Sequence, residues 1–169
     1  SKDKIQEGLQ TTKERSLIIA QNLRKAEELT ANQNLNHQDS KNNQNLIIKD
    51  IKDGKGKVVK CGDTITISYN VYSNGGKKLD QIELYRINID DESNSTIIKE
   101  NMIGVKAEGV RLIIIPNGYQ TSDIQTNKYL ALSDGQGINY EINLLMVGSL
   151  EEIKQIKCNW NQQNNISVN

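Results

Sequence analysis

An α+β fold is predicted: an antiparallel sheet wrapped on a short helix, preceded by an N-terminal α-helix. Three observations predict it. Residues 3–30 are rich in Lys, Glu, Gln, Leu and Ala and contain no proline. In that stretch Ile5, Leu9, Thr12, Ser16, Ile19, Leu23, Ala26 and Thr30 recur in steps of four and three, which is a heptad seam. After a polar gap, short runs with period-two alternation recur, separated by Gly, Asn and Asp turns.

The clearest run lies between Gly62 and Asp80. Ile65, Ile67 and Tyr69 alternate with Thr64, Thr66 and Ser68, the pattern of a half-buried strand. Val71 and Tyr72 form a second short strand. Asn74-Gly75-Gly76 supplies the positive-φ positions of a tight reversal, and Lys77 to Asp80 leave it on a returning strand.

Composition narrows the function classes. The chain has 169 residues, enough for one domain and an appendage, and formal net charge is zero. With a pI near 6.6 there is no basic footprint for nucleic acid. No apolar run approaches the ~18 residues of a membrane span. Phe is absent, so the core must be built from Ile, Leu and Val with a few Tyr. Cys61 and Cys158 are far apart, lack CxxC spacing and share the chain with one histidine, His37, so no metal site and no cofactor are expected. They form either a disulfide tying the tail to the domain or two free thiols in a reducing compartment.

Taken in order, residues 3–30 read as a helix with three alternatives: it packs on its own domain, it pairs with a second chain, or it is frayed and partly disordered. Residues 31–45, polar and of low complexity, cannot repay their folding entropy and read as a linker. Leu46 to Ile51 is the first strand of a domain over 46–148. Gln81 to Ile89 is a strand with one change of phase, the mark of a bulge. Asp90 to Ser95 is an acidic turn without calcium-loop spacing, and Asn94 or Ser95 is placed to cap a short helix through Ile97, Ile98 and Met102. Gly109 to Pro116 is an apolar strand suited to a sheet centre. Asn117 to Gly137 reads as a long irregular connection carrying Tyr119, Tyr129, Leu130 and Leu132. Ile138 to Val147 is the last strand, Ser149 to Glu152 opens a short helix, and the Asn/Gln-rich tail past Trp160 is expected to be mobile.

Several of these pieces resemble FKBP-type peptidyl-prolyl cis-trans isomerase domains. Gly62, Asp63, Tyr69, Gly76 and Asp80 match the family's opening motif without a gap. Asn45 to Lys57 is similar to its lead-in strand and Gly-x-Gly turn. Gly104-Val-Lys-Ala-Glu-Gly-Val-Arg111 resembles its "Gly-Met-Lys-Val-Gly-Glu-Lys-Arg", with Gly and Glu exchanged. Leu112 to Pro116 looks like its "Ile-Pro" strand, and Ile138 to Leu145 like its closing strand. The resemblance covers about residues 46–148. It implies an FKBP-like fold, a rotamase pocket and a role as a folding helper or chaperone for proline-containing peptides or unfolded proteins. The helix before the domain is similar to the dimerising helix of bacterial Mip-like members, which implies a homodimer.

The family's pocket is an aromatic basket with a Trp floor and a rim carboxylate. Carried onto this sequence, the resemblance places Tyr69 as the first aromatic, Asp80 as the rim carboxylate, and Leu79 where the family has Phe. Ile98 falls at the missing Trp unless Ile97-Ile98 match a Val-Ile pair before a shortened helix. Tyr119 approximates the tyrosine of the long connection, and Tyr140 replaces the closing Phe. Tyr69, Leu79 and Tyr140 would serve a plain sheet core equally well. Two readings stand: a weak or degenerate isomerase, and a catalytically inactive FKBP-like peptide- or protein-binding module, such as an envelope or secretion-complex subunit. A start at Ser1 suits a mature exported protein of the periplasm or cell envelope, or a lipoprotein, meeting a membrane only through a removed leader or lipid anchor. A cloning boundary in a cytoplasmic protein gives the same start.

Overall fold

The computed structural model describes residues 14, 15, 17–21, 24, 45–90, 96–148 and 158, and the backbone of 165–167. Strands β1 (Leu46–Lys52), β2 (Thr64–Ser73) and β3 (Lys78–Asn88) come first. A one-turn helix α1 (Ile97–Glu100), strand β4 (Val110–Ile115), helix α2 (Ile124–Leu132), strand β5 (Ile138–Gly148) and a short β6 (Asn165–Ser167) follow. Among the described residues the strands form one sheet in the order β3-β2-β5-β4-β1-β6. The first five pair antiparallel, as expected. The sixth departs from that expectation: β6, in the tail expected to be mobile, joins β1 in parallel.

The alternation in β2 builds the core. Ile65, Ile67, Tyr69 and Val71 are buried, while Thr64, Thr66, Ser68 and Asn70 are only half-buried. One face of the sheet therefore collects Ile65, Ile67, Val71, Ile113, Ile115, Ile138 and Ile142 against Ile97, Ile98 and Met102 from around α1. Each such side chain contributes about 1.5–3 kcal/mol on full burial, so the wrapped helix and sheet supply each other's dry surface. Val71 and Tyr72 do not start a second strand; β2 runs unbroken to Ser73. Ser73 and Lys77 then close the reversal through Ser73 N–H to Lys77 C=O at 2.8 Å, and Gly76 takes φ 105°. The change of phase in the returning strand is present: the β2–β3 register shifts between Ile67 and Tyr69, opposite Ile82 to Tyr85.

The cap of α1 is Thr96, not Asn94 or Ser95; its side chain accepts from Lys99 N–H. Arg111 on β4 fixes the end of this turn. Its Nε and Nη2 hold both oxygens of Asp50 at 2.7 and 3.1 Å, and Nη1 donates to the carbonyls of Asn101 and Ile103. The sheet and the helix are thus joined by one guanidinium.

The long connection contains a nine-residue helix, α2, where an irregular segment was expected. Asp123 is its N-cap, accepting from Gln125 N–H and Thr126 N–H at 3.1 and 3.3 Å. Thr126 and Asn127 are poor helix formers, and Thr126 and Tyr129 are its buried residues, so the period-3.6 signal is faint.

The second face of the sheet is also apolar near β1 and β4. Ile47, Leu112 and Ile114 pack there against Ile19, from a stretch that is helical at the described residues 14, 15, 17–21 and 24. Arg15 lies beside it. Its guanidinium sits 3.6 Å over the Tyr72 ring, its Nη2 donates to Asn139 Oδ1, and its Nε lies 2.8 Å from Glu141 Oε2 without an aligned hydrogen bond. The remaining seam positions, the linker, the expected helix at Ser149 to Glu152 and Trp160 lie outside the described residues. Cys61 and Cys158 form a disulfide that anchors Cys158 beside Ile89.

The exchanged Gly-Glu pair has a backbone consequence. Glu108 is exposed and adopts φ 74°, a left-handed conformation, at the position where the resembled motif has Gly. Gly109 sits where an added Cβ would meet Lys106 O at 2.8 Å. Glu108→Gly is expected to stabilise the fold by about 0.5–1 kcal/mol, by removing left-handed strain. A urea melt checks this, and an unchanged or lower midpoint would contradict it.

Candidate functional site

Register brings the predicted residues together on the core face. Asp80 on β3 and Tyr140 on β5 both pair with Val71 of β2, so the three lie in one row. Tyr69, one pleat away on the same face, pairs with Ile82 and Ile142. Leu79 falls at the second register shift of β3 and packs half-buried on the core. Ile98 arrives from α1 and joins the same buried cluster. Tyr119, in the connection, packs half-buried at its margin. Tyr69 and Ile98 are 7% exposed and Tyr140 is 2% exposed, whereas Asp80 stands at the solvent edge.

Four tyrosines form a chain of edge-to-face contacts. Tyr85 meets Tyr69 at 6.2 Å, Tyr69 meets Tyr140 at 6.0 Å, and Tyr140 meets Tyr129 at 6.2 Å between ring centroids. Tyr129, which the sequence marks only as part of the long connection, joins the predicted site residues here. Its ring is 2% exposed, and its hydroxyl donates to Asp80 Oδ2 at 2.5 Å. The other carboxylate oxygen of Asp80 accepts from Gln81 N–H at 2.8 Å. The available signal was Asp123 followed by Thr126, an N-cap and third-position pair that would have set Tyr129 on an inward helix face.

A polar network underlies the aromatics. Asp123 is buried, and its Oδ2 accepts from Ile97 N–H at 3.0 Å and from Thr126 Oγ1 at 2.8 Å. Thr126 Oγ1 and the Tyr140 hydroxyl are 2.7 Å apart. The hydroxyl that Tyr140 adds in place of Phe is thus consumed by α2. Tyr69 Oη, in contrast, has no hydrogen-bond partner among the described residues, which leaves one donor for a bound group.

These contacts set the charge states. The Tyr129 hydrogen bond and the Gln81 N–H hold the Asp80 carboxyl below its ordinary value, so Asp80 is an anion at neutral pH. Burial, then the neighbouring Tyr85, Asp80 and Asp123, pushes Tyr69 up to about 12. Burial raises Tyr129 further, aided by its bond to Asp80 and the charge of that carboxylate. Burial also raises Tyr140, opposed by the hydrogen bond with Thr126. Tyr119 is raised by burial and by Glu100.

No group of His, Cys, Asp and Glu among the described residues could hold a metal ion. No described helix is long and apolar enough to cross a membrane. An open depression of about 440 Å³, lined by Lys52, Ser68, Glu108, Val110, Asn143, Leu144 and Leu145, shares no lining residue with the cluster around Asp80. Ser68 and Asn143 pair across β2 and β5, one residue out of phase with Tyr69 and Ile142, so the depression belongs to the second face.

No protein-family model matches this chain, and neither does any curated protein. Solved structures similar to it include the following two. The crystal structure of FkpA from Escherichia coli is 18% identical, covering 88% of this chain and 74% of that one, with a TM-score of 0.43. A peptidyl-prolyl cis-trans isomerase from Pseudomonas syringae pv. tomato is 15% identical, covering 60% of this chain and 74% of that one, with a TM-score of 0.41.

The raised tyrosines predict an alkaline limit. A phenol whose folded pKa lies above its unfolded value of about 10 contributes stability fully present below pH 10 and lost as pH rises through the folded value. Phenolate absorbance is therefore expected to rise in two stages, the later one at about pH 12 and above and coincident with loss of near-ultraviolet circular dichroism. A single stage near pH 10 for all six tyrosines in folded protein would contradict it.

Proposed function

We propose that the core-face cluster is an FKBP-like site for proline-containing peptides, with weak peptidyl-prolyl isomerase activity. One observation carries the reading: Tyr69, Leu79, Ile98 and Tyr140 converge as an apolar wall with the Asp80 carboxylate at its solvent edge. The order of the motif pieces along the chain supports the same reading.

The chemistry asks little of the residues. Rotation about an X–Pro bond meets a barrier of about 18–20 kcal/mol and takes tens to hundreds of seconds unaided. No nucleophile or proton transfer is involved. A twisted amide loses resonance and polarity, so a wall that strips water from it favours the twisted state. Tyr69, Leu79, Ile98 and Tyr140 would exclude water, Tyr69 Oη would donate to a peptide carbonyl, and Asp80 would accept from a peptide N–H. The activity is weak in this reading because Ile98 and Leu79 give a smaller, less flat wall than Trp and Phe.

A second reading keeps the peptide site and drops catalysis. The Tyr129–Asp80 hydrogen bond favours it, since the rim carboxylate is already engaged. Under either reading the partners are proline-containing peptides or unfolded proteins. The Cys61–Cys158 disulfide supports an oxidising compartment, the periplasm or cell envelope, as the place of action. Dimerisation through the N-terminal helix belongs to the same proposal, as does Tyr119 as a rim residue.

A protease-coupled assay on short X–Pro peptides tests the first reading. Acceleration over the uncatalysed rate is expected, reduced about tenfold, or about 1.4 kcal/mol, in Asp80→Ala and in Tyr69→Phe. Binding of the same peptides without acceleration selects the second reading. Folded protein that neither accelerates nor binds them contradicts both.

A further inference from the structure

We infer that Tyr129 is an internal occupant of this site, and that α2 must leave before a peptide reaches Asp80. The inference rests on the site reading above and concerns its regulation.

Both oxygens of the carboxylate already carry a donor. One oxygen of Asp80 takes the Tyr129 hydroxyl and the other the Gln81 amide. A carboxylate oxygen can accept twice, so the bond alone does not exclude a second donor; its charge-assisted strength holds the phenol in place, and the ring bars the approach. The ring is placed the same way. It lies edge-to-face on Tyr140 and is as buried as Tyr140 itself, so it fills the volume next to that wall residue. A ring bearing a donor thus occupies the place where a peptide would set an apolar ring and present an N–H.

The element carrying the ring is lightly held. Thr126 and Tyr129 are the buried residues of α2, while Ile124 is 83% and Leu132 52% exposed. Its described anchors are the Tyr129 ring and half-buried Leu130 on the core, the Asp123 cap, the Thr126–Tyr140 contact and the Tyr129–Asp80 bond; the Asn127 bond to Thr121 O stays within the connection. An element with few buried apolar contacts opens at a fraction of the global unfolding cost. The Asp123 side chain holds the start of α2 to α1 through Ile97 N–H, so opening pivots on that end and frees Tyr129, two turns on.

Hydrogen exchange on the full chain, read by mass spectrometry, tests this with Tyr129→Phe, Asp80→Asn and the tetrapeptide Ala-Leu-Pro-Phe. Both variants keep the ring and lose the hydrogen bond or its charge. In each, amides of residues 124–132 are expected to exchange about tenfold faster, about 1.4 kcal/mol, while β2 and β5 keep their protection. Tyr129→Phe is expected to bind the tetrapeptide about tenfold tighter than wild type. Unchanged exchange over 124–132 in both variants overturns the inference, as does weaker tetrapeptide binding by Tyr129→Phe, which would make the phenol a working group. Equal α2 protection in free and peptide-bound wild type overturns it while leaving the peptide site intact. Faster α2 exchange with no binding by any form upholds the internal contact and removes the peptide reading.

Discussion

The carboxylate of Asp123 is the constraint on which the rest of the site depends. It is buried, and it is answered by four donors: the backbone of Ile97, Gln125 and Thr126 and the Thr126 hydroxyl. A buried carboxylate left without them would be costly, so the start of α1 and the start of α2 are held to one point. Through Thr126 the same network reaches the Tyr140 hydroxyl on β5. One side chain thereby ties the helix under the sheet, the helix beside it and the closing strand. A helix cap alone is worth about 0.5–2 kcal/mol; this one also fixes which face of α2 turns inward, and so where Tyr129 falls.

Much of the domain was legible because its strands obey simple periodicity. Ile65, Ile67 and Tyr69 alternate with small polar residues because only one face of β2 is dry. The shift between Ile82 and Ile87 showed as a change of phase, and the structure has a register shift there. The glycine and asparagine turn at 74–76 is in place. What was not legible depends on contacts between distant residues. Tyr129 acquires its role from Asp80, which lies forty-nine positions earlier, and no local pattern records that. Helix α2 was hidden by Thr126 and Asn127 and by a narrow apolar face; the Asp123 cap was its one clear local sign. The pairing of Cys61 with Cys158 spans 97 residues and follows only once the end of β3 and the tail are brought together.

The second face of the sheet shows how a short apolar supply is shared. Ile47, Leu112 and Ile114 alternate with residues of the main core, so β1 and β4 are apolar on both faces. Ile19 covers that strip, and Arg15 closes its side by stacking on Tyr72 and meeting Asn139 and Glu141. The guanidinium is desolvated there, which lowers its pKa, and Glu141 offsets part of that cost. Tyrosines do the work of the absent phenylalanines on the main face, and each brings a hydroxyl that must be placed. Tyr140 gives its hydroxyl to Thr126 and Tyr129 to Asp80, while Tyr69 has no hydrogen-bond partner among the described residues.

The central claim is that a peptide engages the core face around Tyr69 and Asp80. Amide shift mapping of the full-length protein, titrated with a short X–Pro peptide, tests it most directly. The account predicts that perturbed amides cluster on Tyr69, Leu79, Asp80, Ile98 and Tyr140, together with α2. Perturbations confined to the second face, around Ser68, Glu108 and Asn143, would contradict it.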